Sequence, residues 1–221
     1  MWRDVLPGLV DRGFRCVLPD LRGLGWTTAP AGGYDKPQLA ADVLALLDEL
    51  ALPEPVLVMG HDWGALTTVL LCEQAPERFA KAIVLSVPAP WDAQPDPRRL
   101  LGFAHMPFLS APGASRVVPQ LASVLLRISG LKDIEPYVSV LSQPERRRAT
   151  VGYYRTFVTR ELPRLAVKPP PRPLVPMRLL GGVKDPVCRF SPSVDKVPRA
   201  GHFLPEDRPD AVLSLVDEFF N

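Results

Sequence analysis

Val56-Leu57-Val58-Met59-Gly60-His61-Asp62-Trp63-Gly64-Ala65-Leu66 is the stretch on which the fold turns. An apolar run ends in Gly-His-Asp-Trp-Gly, and a second apolar segment starts at once. That is the pattern of a buried strand, a tight turn and a helix. Small residues two positions either side of a central residue let the backbone bend sharply and push that side chain outward. Such turns usually present a serine hydroxyl. Here the tip is Asp62, and a carboxylate in that place can attack carbon and form a covalent ester. A plainer role competes with this one, because Asp is a good N-cap for the helix that follows.

Outward from the turn, helix and strand alternate. Residues 2–12 place Val5, Leu6, Leu9 and Val10 on one helical face, with Gly13 as the stop. Arg15-Cys16-Val17-Leu18 reads as a short strand, and Pro19-Asp20-Leu21-Arg22-Gly23-Leu24-Gly25 as a glycine-rich loop. Leu39, Val43, Leu46, Leu47 and Leu50 recur at helical spacing, and Lys81–Val87 is a further buried strand. Strands that are apolar throughout imply a parallel sheet covered by helices on both faces, with reactive loops at the carboxyl ends of the strands. From Trp91 to Val167 the pattern turns helical, near 97–104, 115–129, 134–141 and 144–160. Lys168-Pro169-Pro170-Pro171-Arg172-Pro173 is a stiff connection. Residues 174–182 then resume the strand pattern, and 207–220 form an amphipathic helix through Val212, Leu215, Val216 and Phe219. The expected organisation is an α/β core from residues 1–90 and 169–221, with residues 91–168 as a helical lid.

Composition narrows the function. The apolar fraction of 47% across 221 residues suffices for a real core, and the net charge of +2 comes from interspersed acids and bases. With no basic stripe carrying interleaved aromatics, nucleic acid is not an expected partner. Cys16, Cys72 and Cys188 are odd in number and widely spaced, which fits free thiols rather than a disulfide framework or a metal site. There is no signal-peptide pattern at Met1-Trp2-Arg3-Asp4 and no apolar run long enough to span a bilayer. The expectation is a cytoplasmic protein without membrane, metal or cofactor.

An ester on Asp62 is a dead end unless water can break it, and that step needs a general base. The chain has three histidines. His61 lies inside the turn, where its ring must point away from Asp62. His105 lies in the helical block. His202, in Gly201-His202-Phe203-Leu204-Pro205, lies just before the last helix and is the base by elimination, unless it is an ordinary loop histidine. A base histidine needs an orienting acid. Asp185, in Gly182-Val183-Lys184-Asp185-Pro186-Val187, follows the strand near 177–180. It would equally cap a helix, and both roles can coexist.

These segments, with Pro19–Gly25 and His202-Phe203-Leu204-Pro205-Glu206-Asp207-Arg208-Pro209, resemble α/β-hydrolases of the epoxide hydrolase and haloalkane dehalogenase group. The order Asp62, Asp185, His202 matches the nucleophile–acid–histidine order of that fold. The resemblance implies that Asp62 opens a small apolar epoxide and that water activated by His202 releases a diol. The backbone N–H of Trp63 would hold the oxyanion. It also implies two lid tyrosines as proton donors. Gly152-Tyr153-Tyr154-Arg155 matches the segment of one, with Tyr154 in its place. Where the other is expected, Phe103-Ala104-His105-Met106-Pro107 offers His105, and Tyr137 is a candidate by type. A lid histidine with Trp63 beside the nucleophile would also suit a leaving halide, so a hydrolytic dehalogenase is the second expectation.

Two departures from the family pattern bear on activity. The family's His-Gly-x-Pro loop, which supplies a second oxyanion donor, is absent from the chain, as are the strands before it. The expected sheet edge is then open, favouring association such as a homodimer, and a catalytically weak or inactive protein is the third expectation. Between Asp185 and His202 stand only 16 residues. A helix of about 11 and a strand of about 5 would leave no room for connections.

Overall fold

Two helices precede the Asp62 turn, α1 (Leu6–Asp11) and α2 (Lys36–Leu50). The fold is that of a computed structural model, which describes residues 1–92, 98, 101–131 and 133–220. Helix α2 starts where the Asp35 side chain accepts from the Gln38 amide and Pro37 sits in the first turn; it stops at Ala51, in the left-handed conformation. The apolar run before Asp62 is β1 (Val56–His61), and the one after it is α3 (Trp63–Gln74). With β2 (Phe79–Leu85), β3 (Met177–Gly182) and β4 (Asp195–Val197), β1 forms a parallel sheet in the order β1-β2-β3-β4.

The core follows from the twofold alternation of strand side chains. Ala82 and Val84 of β2 join Val69, Leu71 and Cys72 of α3 on one face. Ile83 and Leu85 point the other way, to Val5 beside α1 and to Val212, Leu215 and Val216 of the last helix. Ile83 and Leu85 are fully buried, each stabilising the fold by about 1.5–3 kcal/mol.

The described part of residues 106–167 is mostly helical: α4 (Met106–Ser110), α5 (Val118–Ile128), α6 (Glu135–Leu141), α7 (Pro144–Thr156), a π-helical turn (Phe157–Glu161) and α8 (Leu162–Val167). Leu109, Ala114, Val118 and Val151 give this block an apolar cluster of its own. The helix expected near 97–104 falls largely outside the described residues; of those, Arg98 is helical and Leu101–Phe103 form a 3-10 turn. The proline-rich run returns the chain to β3. After β4 come α9 (Leu204–Asp207) and α10 (Pro209–Phe219).

One expected strand does not form. Arg15–Leu18 is irregular, with Val17 and Leu18 left 44% and 45% exposed. Its apolar character suited a strand, but a strand exists only by pairing. Arg15–Asp20 and Val56–Gly60 border the same cavity and do not pair; among the described residues β1 pairs only with β2. The free side of β1 faces this space, and β1 is accordingly only half-buried until Gly60 and His61. Among the described residues, no helix is long and apolar enough to cross a membrane.

Candidate active site

At the end of β1 the backbone turns through Asp62 at φ 52° and ψ −119°, a conformation that L-residues rarely adopt. Such strain costs on the order of 1–3 kcal/mol and persists only where the surroundings enforce it. The Asp62 N–H donates to the Leu85 carbonyl of β2. The Asp62 side chain makes no cap hydrogen bond to α3, so the plainer helix-capping role is not the one it plays. Its carboxylate is 39% exposed, toward the cavity.

The two glycines of the turn are not equivalent. A Cβ on Gly60 would lie 2.3 Å from the Gly64 carbonyl oxygen and 2.5 Å from Thr68 Oγ1, whereas one on Gly64 meets nothing within 4 Å. The reading that both flanking positions must be small is corrected: the close approach is all at Gly60, and Gly64 contributes its backbone. We therefore expect Gly60→Ala to lose about 1–3 kcal/mol or more of stability in denaturant unfolding. Gly64→Ala, within a helix, should shift it by less than about 1 kcal/mol.

Asp185 and His202 come together in spite of the short connection. No helix forms between residues 186 and 194, and β4 is only three residues long, so the chain spends little length before the His202 loop. The turn after β3 is laced to that loop by Val183 N–H to Val197 O at 3.1 Å and Lys184 N–H to Ala200 O at 3.0 Å. Asp185 is fully buried. Its Oδ1 accepts from the Val187 amide at 2.9 Å, a local turn bond, and its Oδ2 faces His202 Nδ1 at 3.1 Å. The contact with His202 forms, but the helix-capping role does not: no helix follows Asp185 directly, and its Oδ1 closes only a turn. The Cys188 thiol donates to the same Oδ2 at 3.1 Å.

With Nδ1–H directed at Asp185, the other ring nitrogen of His202 is free to take a proton. That Nε2 lies 3.8 Å from Asp62 Oδ1. Burial works against the charged imidazole, but the hydrogen bond and charge of Asp185, with Asp62 behind them, outweigh it and hold His202 above the usual histidine range. Burial also resists ionisation of Asp185, and the bond to His202 overcomes it, leaving this carboxyl below the usual range.

His61 has a part that the sequence reading missed. Burial, then repulsion by His202, push its pKa down to about 4, so the ring is neutral. Its Nε2–H donates to the His202 backbone carbonyl at 2.8 Å, fixing the loop that carries the other imidazole. The only signal in the sequence was its position inside the turn.

The remaining candidates border the same cavity, about 1280 Å³ in volume. Trp63 opens α3, so its amide has no partner within the helix and is free to face an anion beside Asp62. The Tyr154 ring packs edge-on against Trp63 at 5.2 Å and against His105 at 5.6 Å. Burial, reinforced by Asp62, holds the Tyr154 phenol well above its usual range, so it keeps its proton. Burial lowers His105 despite the nearby Asp62, which favours a neutral ring. Tyr137 also lines the cavity, but its hydroxyl donates to Glu206 and is committed there.

The family model for the alpha/beta hydrolase fold matches residues 1–114. A soluble epoxide hydrolase of Corynebacterium sp. strain C12 is 27% identical, over 99% of this chain and 85% of its own length. Haloalkane dehalogenase 2 of Mycobacterium bovis is 26% identical, over 100% of this chain and 83% of its own. The solved structure of epoxide hydrolase CorEH superposes with a TM-score of 0.77 at 27% identity, covering 99% of this chain and 86% of that one. A strained carboxylate turn, an acid–imidazole pair beside it and these relatives lead to one conclusion: the chain is a hydrolase of the alpha/beta hydrolase fold family, in the group of the epoxide hydrolases and haloalkane dehalogenases.

Proposed function

We propose that this chain opens a small apolar epoxide to a diol through an ester on Asp62. The observation that carries the reading is the line Asp62 Oδ1, His202 Nε2, His202 Nδ1, Asp185 Oδ2, with separations of 3.8 and 3.1 Å across its two gaps. Asp62 attacks one ring carbon from the back as the carbon–oxygen bond breaks, and Tyr154 gives its proton to the departing oxygen. His202 Nε2 then takes a proton from water, and the resulting hydroxide adds to the Asp62 ester carbonyl. The Trp63 N–H faces the oxyanion at the positive end of α3. Collapse frees the diol, whose second oxygen takes the proton held on His202; the remaining proton of the added water passes from the Asp62 carboxyl to the Tyr154 phenolate, which restores the carboxylate and the phenol. In this reading helices α4–α8 act as a lid, supplying His105, Leu109, Val118, Tyr137 and Tyr154 to the cavity wall above residues of the sheet domain.

A second reading keeps the nucleophile and base but releases halide. It is favoured by Trp63 and His105, which border the cavity on either side of Tyr154. Styrene oxide and a short bromoalkane separate the two: diol formation supports the first, bromide release the second. A folded protein that does neither would end both.

The working form of His202 is the neutral one. Burial opposes the charged ring, but the bond and charge of Asp185 hold His202 above the usual histidine range, so kcat should fall as pH drops through that raised value. His61, already neutral down to about 4, does not contribute to that limb. In a pH–kcat profile, Asp185→Asn should move the limb to lower pH and reduce the maximum by about a hundredfold or more.

A further inference from the structure

Behind the Asp62 turn lies a buried cation for which the proposed reaction has no use. Lys36, the first residue of α2, is 4% exposed and does not border the cavity. Its Nζ lies over the Trp63 ring, 4.3 Å from the centroid, with the rings of Tyr153 and Phe157 at 5.4 and 5.5 Å. A desolvated ammonium is attracted to aromatic faces at such distances.

The counter-charge comes from the helical block. Glu161, at the end of the π-helical turn, places Oε2 3.2 Å from Lys36 Nζ, while its Oε1 accepts from the Lys36 backbone N–H at 2.7 Å. One carboxylate thus both caps α2 and neutralises its first side chain. The Nζ–Oε2 pair is within ion-pair distance but poorly aligned for a hydrogen bond, so charge and ring contact carry most of the hold on the ammonium. A π turn is a costly irregularity in a helix and is often kept where function needs it. Here it carries both Phe157 and Glu161.

Trp63 is what these contacts share. Its indole is enclosed by Lys36, Tyr153, Tyr154 and Phe157, and its other border is the cavity. Trp63 also immediately follows Asp62, so its seat governs the pitch of the turn.

We propose that Lys36 is a positioning residue which, paired with Glu161, clamps the helical block to the elbow and fixes Trp63, and with it the aim of the Asp62 carboxylate. The inference rests on Asp62 as nucleophile for its catalytic consequence, and on the ion pair alone for its structural one. Burying a cation and an anion is expensive unless each has the other, so removing one strands its partner.

The test uses the full chain as Lys36→Met, Lys36→Arg, Glu161→Gln and the double variant Lys36→Met/Glu161→Gln, with styrene oxide as probe. A displaced turn costs chemistry more than binding. In Lys36→Met, kcat should fall about tenfold to a hundredfold, with KM changed less than about threefold. Lys36→Arg, which keeps the cation, should return kcat near the parent's value. Each single charge loss should speed proteolytic cleavage within residues 106–167, and the double variant should be cleaved no faster than the worse single one. A folded Lys36→Met with the parent's kcat, or an Arg variant as slow as the Met variant, overturns the positioning role. Additive effects of the two charge losses on cleavage overturn the clamp. If the parent turns over neither an epoxide nor a haloalkane, the functional reading has failed by itself, and the cleavage arm still decides the clamp.

Discussion

Asp62→Asn will neither release diol nor take up substrate covalently. The side chain keeps its size and its place at φ 52°, but an amide oxygen is a poor nucleophile, and every later step depends on the ester it would have made. Loss of a nucleophile of this kind costs about a millionfold in kcat. The decisive measurement is the mass of the intact protein after rapid mixing with styrene oxide. The parent should show a fraction carrying the mass of one substrate, and the variant none. Full activity in the variant would remove Asp62 from the mechanism and leave the strained turn without a purpose.

His202→Gln should fail in the opposite way. Attack on the epoxide does not need the imidazole, so the ester forms, but the water that must break it has no base. Hydrolysis should slow on the order of a thousandfold. The protein should then consume a single equivalent of substrate, stall, and hold the ester long enough for peptide mapping to place it on Asp62. A variant that turned over at the parent's rate would show that the 3.8 Å between His202 Nε2 and Asp62 Oδ1 is incidental.

The Asp62 turn was legible in the sequence because its signal is local: the strand-to-helix change lies within the eleven residues Val56–Leu66. His202 was singled out by elimination among three histidines, and the structure brings it beside Asp62. What was not legible depended on contacts between distant parts of the chain. The strand expected at Arg15–Leu18 had the right residues, but pairing is a property of two segments, and no described strand lies beside this one. The doubt over the 16 residues before His202 assumed a regular helix and strand; irregular turns, stitched to β3 by backbone bonds, cover the distance. Lys36 and Glu161 stand 125 positions apart, and nothing near either residue announces the other. Gly64 misled in a different sense: its place in the motif suggested a steric need that the open space around it does not impose.

The placement of the imidazoles has a practical consequence. His61 and His202 lie 5.1 Å apart, His105 borders the same cavity, and the chain has no others. Burial drives all three thiols upward, away from neutrality. Every imidazole resonance in a proton spectrum will therefore come from this one cavity, and a shift in any of them on adding a ligand points to that cavity before a single rate has been measured.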